Sequence, residues 1–288
     1  MARTIYVNGR YLPYHAAFVH VEDRGFQFGD AVYEVCEIRD SHIIDESRHM
    51  SRLAHSLKEL SIPEPMSNGA WRLVIRETIR RNRVVNGTLY VQVSRGAGPR
   101  DFLFSGVRTP PSVICLARHA TGQKNDQALS KGISVITVPE MRWGRCDIKT
   151  VMLLPASLAK ERARAAGAQE AWFIDSDGHV LEGGSSNAWI VTHDREVITR
   201  PADSAILRGV TRMTLIDLLK NEEDLTLKER AFTKNEVQAA KEAFITSATN
   251  LVMPVVAIDG QEIGNGRPGP IARRLRLNFH RVAEAARI

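Results

Sequence analysis

The sequence is poor in the residues that build secreted scaffolds and membrane spans. Its three cysteines, Cys36, Cys115 and Cys146, are odd in number and far apart. That excludes a disulfide framework, and with no C-x-x-C pair no zinc or other metal site is indicated. Reduced thiols are the expected state, as in a cytosolic protein. No apolar run approaches the ~18–20 residues a membrane helix needs. The start, MARTIYVNGRYLP, has no basic segment followed by an apolar core, so no signal peptide is expected. Internal repeats and low-complexity tracts are missing too. These absences together point to a soluble, cytoplasmic protein. Lysine is the scarce cation, with nine Lys against 30 Arg, so a lysine in a chemically loaded setting stands out. Arginine suits bidentate recognition of carboxylate and phosphate, whereas lysine can serve as an amine nucleophile.

What is present is ordinary globular material. The chain has 288 residues, 43% hydrophobic and 25% charged, with a net charge of +6. At roughly 150 residues per domain, two domains are expected. Thr4 to Tyr11 reads as a hairpin turning at Asn8-Gly9. Met50, Leu53, Leu57 and Leu60 fall at helical spacing before Pro63 and Pro65, and Trp71, Val74, Ile75, Thr78 and Ile79 mark a second helix. Leu89–Ser94 and Val113–Ala117 read as strands. The polar stretch 119–131 reads as a linker, dividing the chain into an N-terminal domain, 1–118, and a C-terminal domain, 132–288. In the second part, strands at 133–138, 170–174, 188–192, 243–246 and 254–258 alternate with helices at 155–166, 210–220, 234–241 and 270–285. The fold class expected is a two-domain α+β or α/β protein with a strand-rich C-terminal layer.

Four segments carry chemistry. In Arg142-Trp143-Gly144-Arg145-Cys146-Asp147-Ile148-Lys149-Thr150, Lys149 is expected to follow a strand, with Ile148, Val151, Met152, Leu153 and Leu154 to desolvate its amine, which would make it nucleophilic near neutrality. A lysine snorkelling from a strand end is the plainer alternative. In Leu181-Glu182-Gly183-Gly184-Ser185-Ser186-Asn187, glycines permit close approach to a flat ligand and Glu182 offers a carboxylate to a protonated ring nitrogen. Taken alone, those letters favour a hairpin turn with solvated polar residues. Leu207-Arg208-Gly209-Val210-Thr211-Arg212 opens a helix whose N-terminus suits an anion. Thr246-Ser247-Ala248-Thr249-Asn250 joins two apolar runs and could form a second nest for phosphate oxygens. A helix cap and a turn are the ordinary readings of these two.

Taken together, the four segments resemble those of the fold-type IV pyridoxal-phosphate enzymes, which include D-amino-acid and branched-chain transaminases. The resemblance gives Lys149 the Schiff-base role and Glu182 the partner of the pyridine nitrogen, with Ser186 and Asn187 in the same cofactor-binding signature. It makes Val210, Thr211, Ser247, Ala248 and Thr249 phosphate contacts, although Ala248 stands where a threonine is usual. It extends to the N-terminal part, where Asp23-Arg24-Gly25-Phe26 and Gly29-Asp30-Ala31-Val32-Tyr33-Glu34 look like the family's D-R-G-F and G-D-x-V-Y-E, and His49-Met50-Ser51-Arg52-Leu53 its H-x-x-R-L, with Arg52 on the phosphate.

Within that family, Tyr33 and Arg100 match two members of the trap that holds the substrate carboxylate in D-amino-acid transaminases. The third, a histidine, is replaced by Phe102. The resemblance therefore implies transfer of an amino group from a D-amino acid to a 2-oxo acid such as 2-oxoglutarate, with Lys149 shuttling the proton. Branched-chain L-amino-acid or (R)-amine transamination, and the family's aminodeoxychorismate lyase, are the alternatives. A cytoplasmic homodimer using pyridoxal 5'-phosphate, with small-molecule substrates, is implied as well. Arg72, Arg76, Arg80, Arg81 and Arg83 could track phosphates of a nucleic acid. Acidic residues are interspersed elsewhere and no recognised module accompanies them, so neither a nucleic-acid nor a membrane partner is expected.

Overall fold

The computed structural model describes residues 3–104, 109–120 and 129–288. Residues 121–128 of the expected linker lie outside them. Two compact units emerge: Met1–Thr121, Ile148–Met152 and Glu284–Ile288 form one, and Gly122–Asp147 with Leu153–Ala283 the other. The segment around Lys149 and the last five residues, expected in the C-terminal domain from their order in the chain, belong with the first unit.

The first unit is a seven-stranded antiparallel sheet backed by helices. Its strands are β1 (Thr4–Val7), β2 (Arg10–Pro13), β3 (Ala31–Arg39), β4 (His42–Ile44), β5 (Gly87–Ser94), β6 (Ser112–His119) and, at the C-terminus, β16 (Ala285–Arg287). They lie in the order β16-β4-β3-β5-β6-β1-β2. Asn8 and Gly9 both take positive φ, +45° and +88°, as a tight hairpin turn requires. Short helix α1 (Arg24–Phe28), then α2 (Glu46–Glu59) and α3 (Asn68–Asn82), complete the unit. Leu53, Leu57, Trp71, Ile75 and Ile79 pack with Val32, Cys36, Ile38, Leu89, Val91 and Val93 into one core. Each such side chain, fully buried, contributes about 1.5–3 kcal/mol.

The second unit is built on β7 (Ile133–Pro139), β8 (Glu170–Ile174), β9 (Val180–Gly183), β10 (Asn187–Val191), β11 (Glu196–Thr199), β12 (Thr226–Glu229), β13 (Glu242–Ser247), β14 (Leu251–Ile258) and β15 (Gln261–Glu262). Strand β9 pairs with both β8 and β10, so β10-β13-β14-β7-β8-β9 closes into a six-stranded barrel. Successive residues face opposite ways. Ala188, Ile190, Ala243, Ile245, Met253, Val255, Trp172 and Val180 fill one core, while Trp189, Val191, Phe244 and Val252 meet helices α5 (Val210–Leu219) and α7 (Pro270–Val282). On another side, Ala171, Phe173 and Leu181 pack with Ala159 and Ala163 of α4 (Leu154–Ala165). Burial of both faces explains why these strands read as unbroken apolar runs. Helix α6 (Lys234–Gln238) opens with a capping box between Thr233 and Glu236 and stops three residues short of the expected end. Among the described residues no helix is long and apolar enough to cross a membrane.

Candidate functional site

In the first unit, β4 covers only Ile38 and Arg39 of its neighbour β3, which leaves the start of β3 open. Residues 148–152 occupy that edge. Tyr33 donates its N–H to Lys149 O at 3.0 Å, and Val151 donates to Ala31 O at 3.0 Å. From the other side Lys149 donates its own N–H to Ser56 Oγ of α2. The lysine backbone is thus fixed by two elements, and its Nζ lies 4.2 Å from the centre of the Tyr33 ring. Tyr33 stacks in turn on Tyr90, with centroids 5.7 Å apart. Lys149 does not directly follow a strand; an irregular stretch separates it from β7. Of its expected apolar flanks only Ile148 is buried, and Met152, Leu153 and Leu154 are exposed.

Beside it lies a buried charge cluster. Arg52 donates from Nε and Nη2 to the two oxygens of Glu34 at 2.7 and 2.8 Å, and His49 Nδ1 lies 2.7 Å from Glu34 Oε2. Burial pushes the Glu34 carboxyl up, but the guanidinium of Arg52 and the His49 ring pull it further down, to about 2. Glu34 orients Arg52, and sequence reading missed it. A charged residue on the inner face of β3 looks like an interruption of the strand pattern, and its partners are 15 and 18 residues away on another element.

The D-R-G-F and G-D letters build a latch. Asp30 accepts from Arg24 Nε at 2.8 Å and from Arg95 Nε at 2.7 Å, and Arg24 Nη1 donates to Asp101 O. Asp23 caps α1 through Gly25 N and accepts from Ser94 Oγ. The loop after β5 is tied down in this way. On it Arg100 is exposed, its guanidinium 5.3 Å from the centre of the Phe28 ring and 5.9 Å from that of Phe102. Tyr33 and Arg100 make no contact with each other among the described residues. Asp101 is exposed and accepts from Leu103 N.

In the second unit, Glu182 is buried near the end of β9 and receives several donors. Arg142 Nη1 reaches Oε1 at 2.5 Å, Asn187 Nδ2 reaches Oε2 at 3.0 Å, and the Leu207 N–H is shared between both oxygens. Asn187 also donates to Leu207 O. Its pairing with Thr246 brings it beside β13 and the turn that follows. Asn187 therefore gathers Glu182, the segment before α5 and the 247–250 turn at one end of the strands. A Cβ on Gly209 would sit 2.0 Å from Asn187 Oδ1, so only glycine fits there.

Helix α5 begins at Gly209 without a side-chain cap. Val210 and Thr211 are buried there, and among the described residues their N–H groups donate to no protein acceptor. Orphan donors at a helix N-terminus match an anion such as phosphate. In the turn after β13, Asn250 donates its N–H to Ser247 Oγ, which is 3.5 Å from Thr249 Oγ1, and the turn ends at Leu251 with φ +53°. Ser247 and Ala248 are half-buried. Ser186, by contrast, is engaged with the buried Glu170, as is Ser185, at 3.1 and 3.0 Å. Both hold the turn in shape. Arg142 and Glu170 are further residues of the site that sequence reading passed over.

These features suit a flat cofactor with a cationic ring nitrogen and a phosphate. One carboxylate is fixed by N–H donors, one helix start offers uncapped amides, and one close backbone approach excludes any side chain. The sequence profile of the amino-transferase class IV family matches residues 31–258. The chain is 39% identical over 268 residues to the D-alanine aminotransferase of Bacillus licheniformis, covering 93% of each. It is 34% identical over 282 residues to that of Staphylococcus haemolyticus, covering 98% of each. The branched-chain amino acid aminotransferase of Escherichia coli superimposes with a TM-score of 0.88 at 25% identity, over 98% of this chain and 95% of that one. The chain belongs to the class IV aminotransferases, which are pyridoxal-phosphate enzymes.

Proposed function

We propose that the protein moves the amino group of a D-amino acid such as D-alanine to a 2-oxo acid such as 2-oxoglutarate, as a cytoplasmic homodimer. The observation that carries the reading is the presence in one chain of a lysine amine held over Tyr33 and a carboxylate, Glu182, whose donors fix it as an anion. Near-full-length identity to D-alanine aminotransferases supports the substrate class.

Pyridoxal phosphate, when bound, supplies a carbonyl for the substrate amine and a ring that takes up the electron pair left on the α-carbon. Lys149 Nζ would hold the cofactor and would move the proton at the substrate's α-carbon, first as base and then as acid. Glu182 holds the proton of the ring nitrogen. Arg52, with Val210, Thr211, Ser247, Ala248 and Thr249, grips the phosphate. Asn187 aims Glu182, and Ser186 shapes the turn that carries it. Tyr33 and Arg100 orient the substrate carboxylate, Arg100 as a guanidinium fork. Phe102 in place of a histidine removes one donor from that trap.

The exposed Phe102, Leu103 and Phe104, consecutive on one loop, support the homodimer as apolar surface that a second subunit would cover. The three free, buried cysteines fit a reducing compartment.

The test is product formation from D-alanine and 2-oxoglutarate, with L-leucine and (R)-1-phenylethylamine as rival donors. D-alanine should be the best donor by at least about tenfold, a discrimination that fixed polar contacts readily supply. Preference for L-leucine or for the amine would move the chain to a sister activity. Release of pyruvate from aminodeoxychorismate without an acceptor would make it a lyase.

A further inference from the structure

Arg142 lies between two carboxylates. Its Nε and Nη2 donate to Glu140 at 3.0 and 2.6 Å, while Nη1 donates to Glu182. Nη2 also reaches Ala205 O, and the guanidinium lies 4.3 Å from the centre of the Phe173 ring. Burial acts to pull the Arg142 proton off, but the bonds to Glu140 and the charge of Glu182 outweigh it and hold the proton more tightly than usual. Glu140, Arg142 and Glu182 therefore form a largely buried trio with two negative charges and one positive.

Asp147 is paired with Arg145. The Cys146 thiol, pushed up by burial to about 11, is neutral near pH 7. Asn187 and the Leu207 N–H add uncharged donors to Glu182.

We infer that Arg142 is the positioning residue for Glu182: anchored on Glu140, it aims the Glu182 carboxylate and keeps it charged for a cationic ring N–H. The inference rests on the reading of Glu182 as the partner of the cofactor's ring nitrogen. Arginine suits the place because one planar group spans both acids along two different edges. Loss of its charge would leave two adjacent carboxylates, and like charges so close drive one of them to take up a proton. A protonated Glu182 offers no charge to an N–H⁺.

The experiment measures affinity on cofactor-free protein, by fluorescence titration, for pyridoxal 5'-phosphate and for its analogue with C–H in place of the ring nitrogen. Wild type should prefer the natural cofactor by about tenfold or more, the scale of one charge-assisted hydrogen bond. Arg142→Gln should erase most of that preference at pH 7, and Arg142→Lys should restore part of it. Glu140→Gln, which loosens the anchor of the Arg142 guanidinium, should reduce it as well. Circular dichroism confirms that each variant is folded. Equal weakening for both ligands in Arg142→Gln would make Arg142 a general structural residue and overturn the inference. An unchanged preference would overturn it too. A wild type that binds both ligands equally would instead remove the reading of Glu182, and the inference with it.

Discussion

Glu34 shows how a residue that breaks a strand pattern can organise a site. Its carboxylate is almost fully buried, and Arg52 and His49 are what make that burial tolerable. Because its folded-state pKa, about 2, lies below the ordinary value of 4.5, the stabilisation is complete above pH 4.5 and is lost as pH falls towards 2. A depression of that size corresponds to about 3 kcal/mol. Acid titration of unfolding free energy should therefore show a steep loss between those values, and Glu34→Gln should flatten it. That variant should also be less stable by about 3–5 kcal/mol at neutral pH, since it leaves Arg52 buried without its counter-charge. At this scale the sequence offers candidates where chemistry sits in a run of neighbours: Lys149, Glu182 and the 207–212 and 246–250 segments. It was opaque for Glu34 and Arg142, whose meaning lies in partners brought close only by folding. His49 is buried and paired with Glu34.

Among elements, the start of α5 joins sequence to function most directly. The glycine at 209 lets the helix approach Asn187 closely, and the first two amides remain without protein acceptors. Gly209→Ala should force the two apart. We expect at least about a tenfold weaker affinity for pyridoxal phosphate, measured by fluorescence, since charge-assisted bonds of this type each contribute on the order of 1.5–3 kcal/mol. An unaltered affinity would argue against a phosphate at this helix. Most element positions were readable from periodicity: α2 and α3 from helical spacing, and β5, β6, β7 and β8 from apolar runs. The expected helix at 270–285 ends instead at Val282, because Ala285–Arg287 pair with β4. Strand β3 was not read as a strand from the sequence, since Glu34 interrupts the apolar pattern of its inner face. In α3, Arg76 pairs with Glu46, and Arg80 and Arg81 share Glu77.

For the molecule as a whole, order along the chain and membership in a unit diverge. Residues 148–152 belong with the first unit because their backbone completes the β3 edge, and 284–288 because β16 completes the β4 edge. Neither signal exists in composition, since edge pairing is a backbone property. Glu284 also exchanges bonds with Asp45 and Ser47 at the start of α2. Deleting residues 284–288 should therefore lower the thermal midpoint by several degrees, of the order that a loss of about 1–2 kcal/mol produces in a chain this size. An unchanged midpoint would show that the terminal strand contributes nothing. Sedimentation equilibrium should give twice the chain mass, and a monomer at micromolar concentration would contradict the homodimer.

The most direct test of the central claim is the visible spectrum of the cofactor-loaded protein during addition of D-alanine and, separately, L-alanine. The account predicts a yellow band that depends on Lys149, is absent in Lys149→Ala, and is bleached by the D-enantiomer alone. Bleaching by L-alanine alone would contradict the D-amino-acid assignment, and a band that persists in Lys149→Ala would contradict the role given to Lys149.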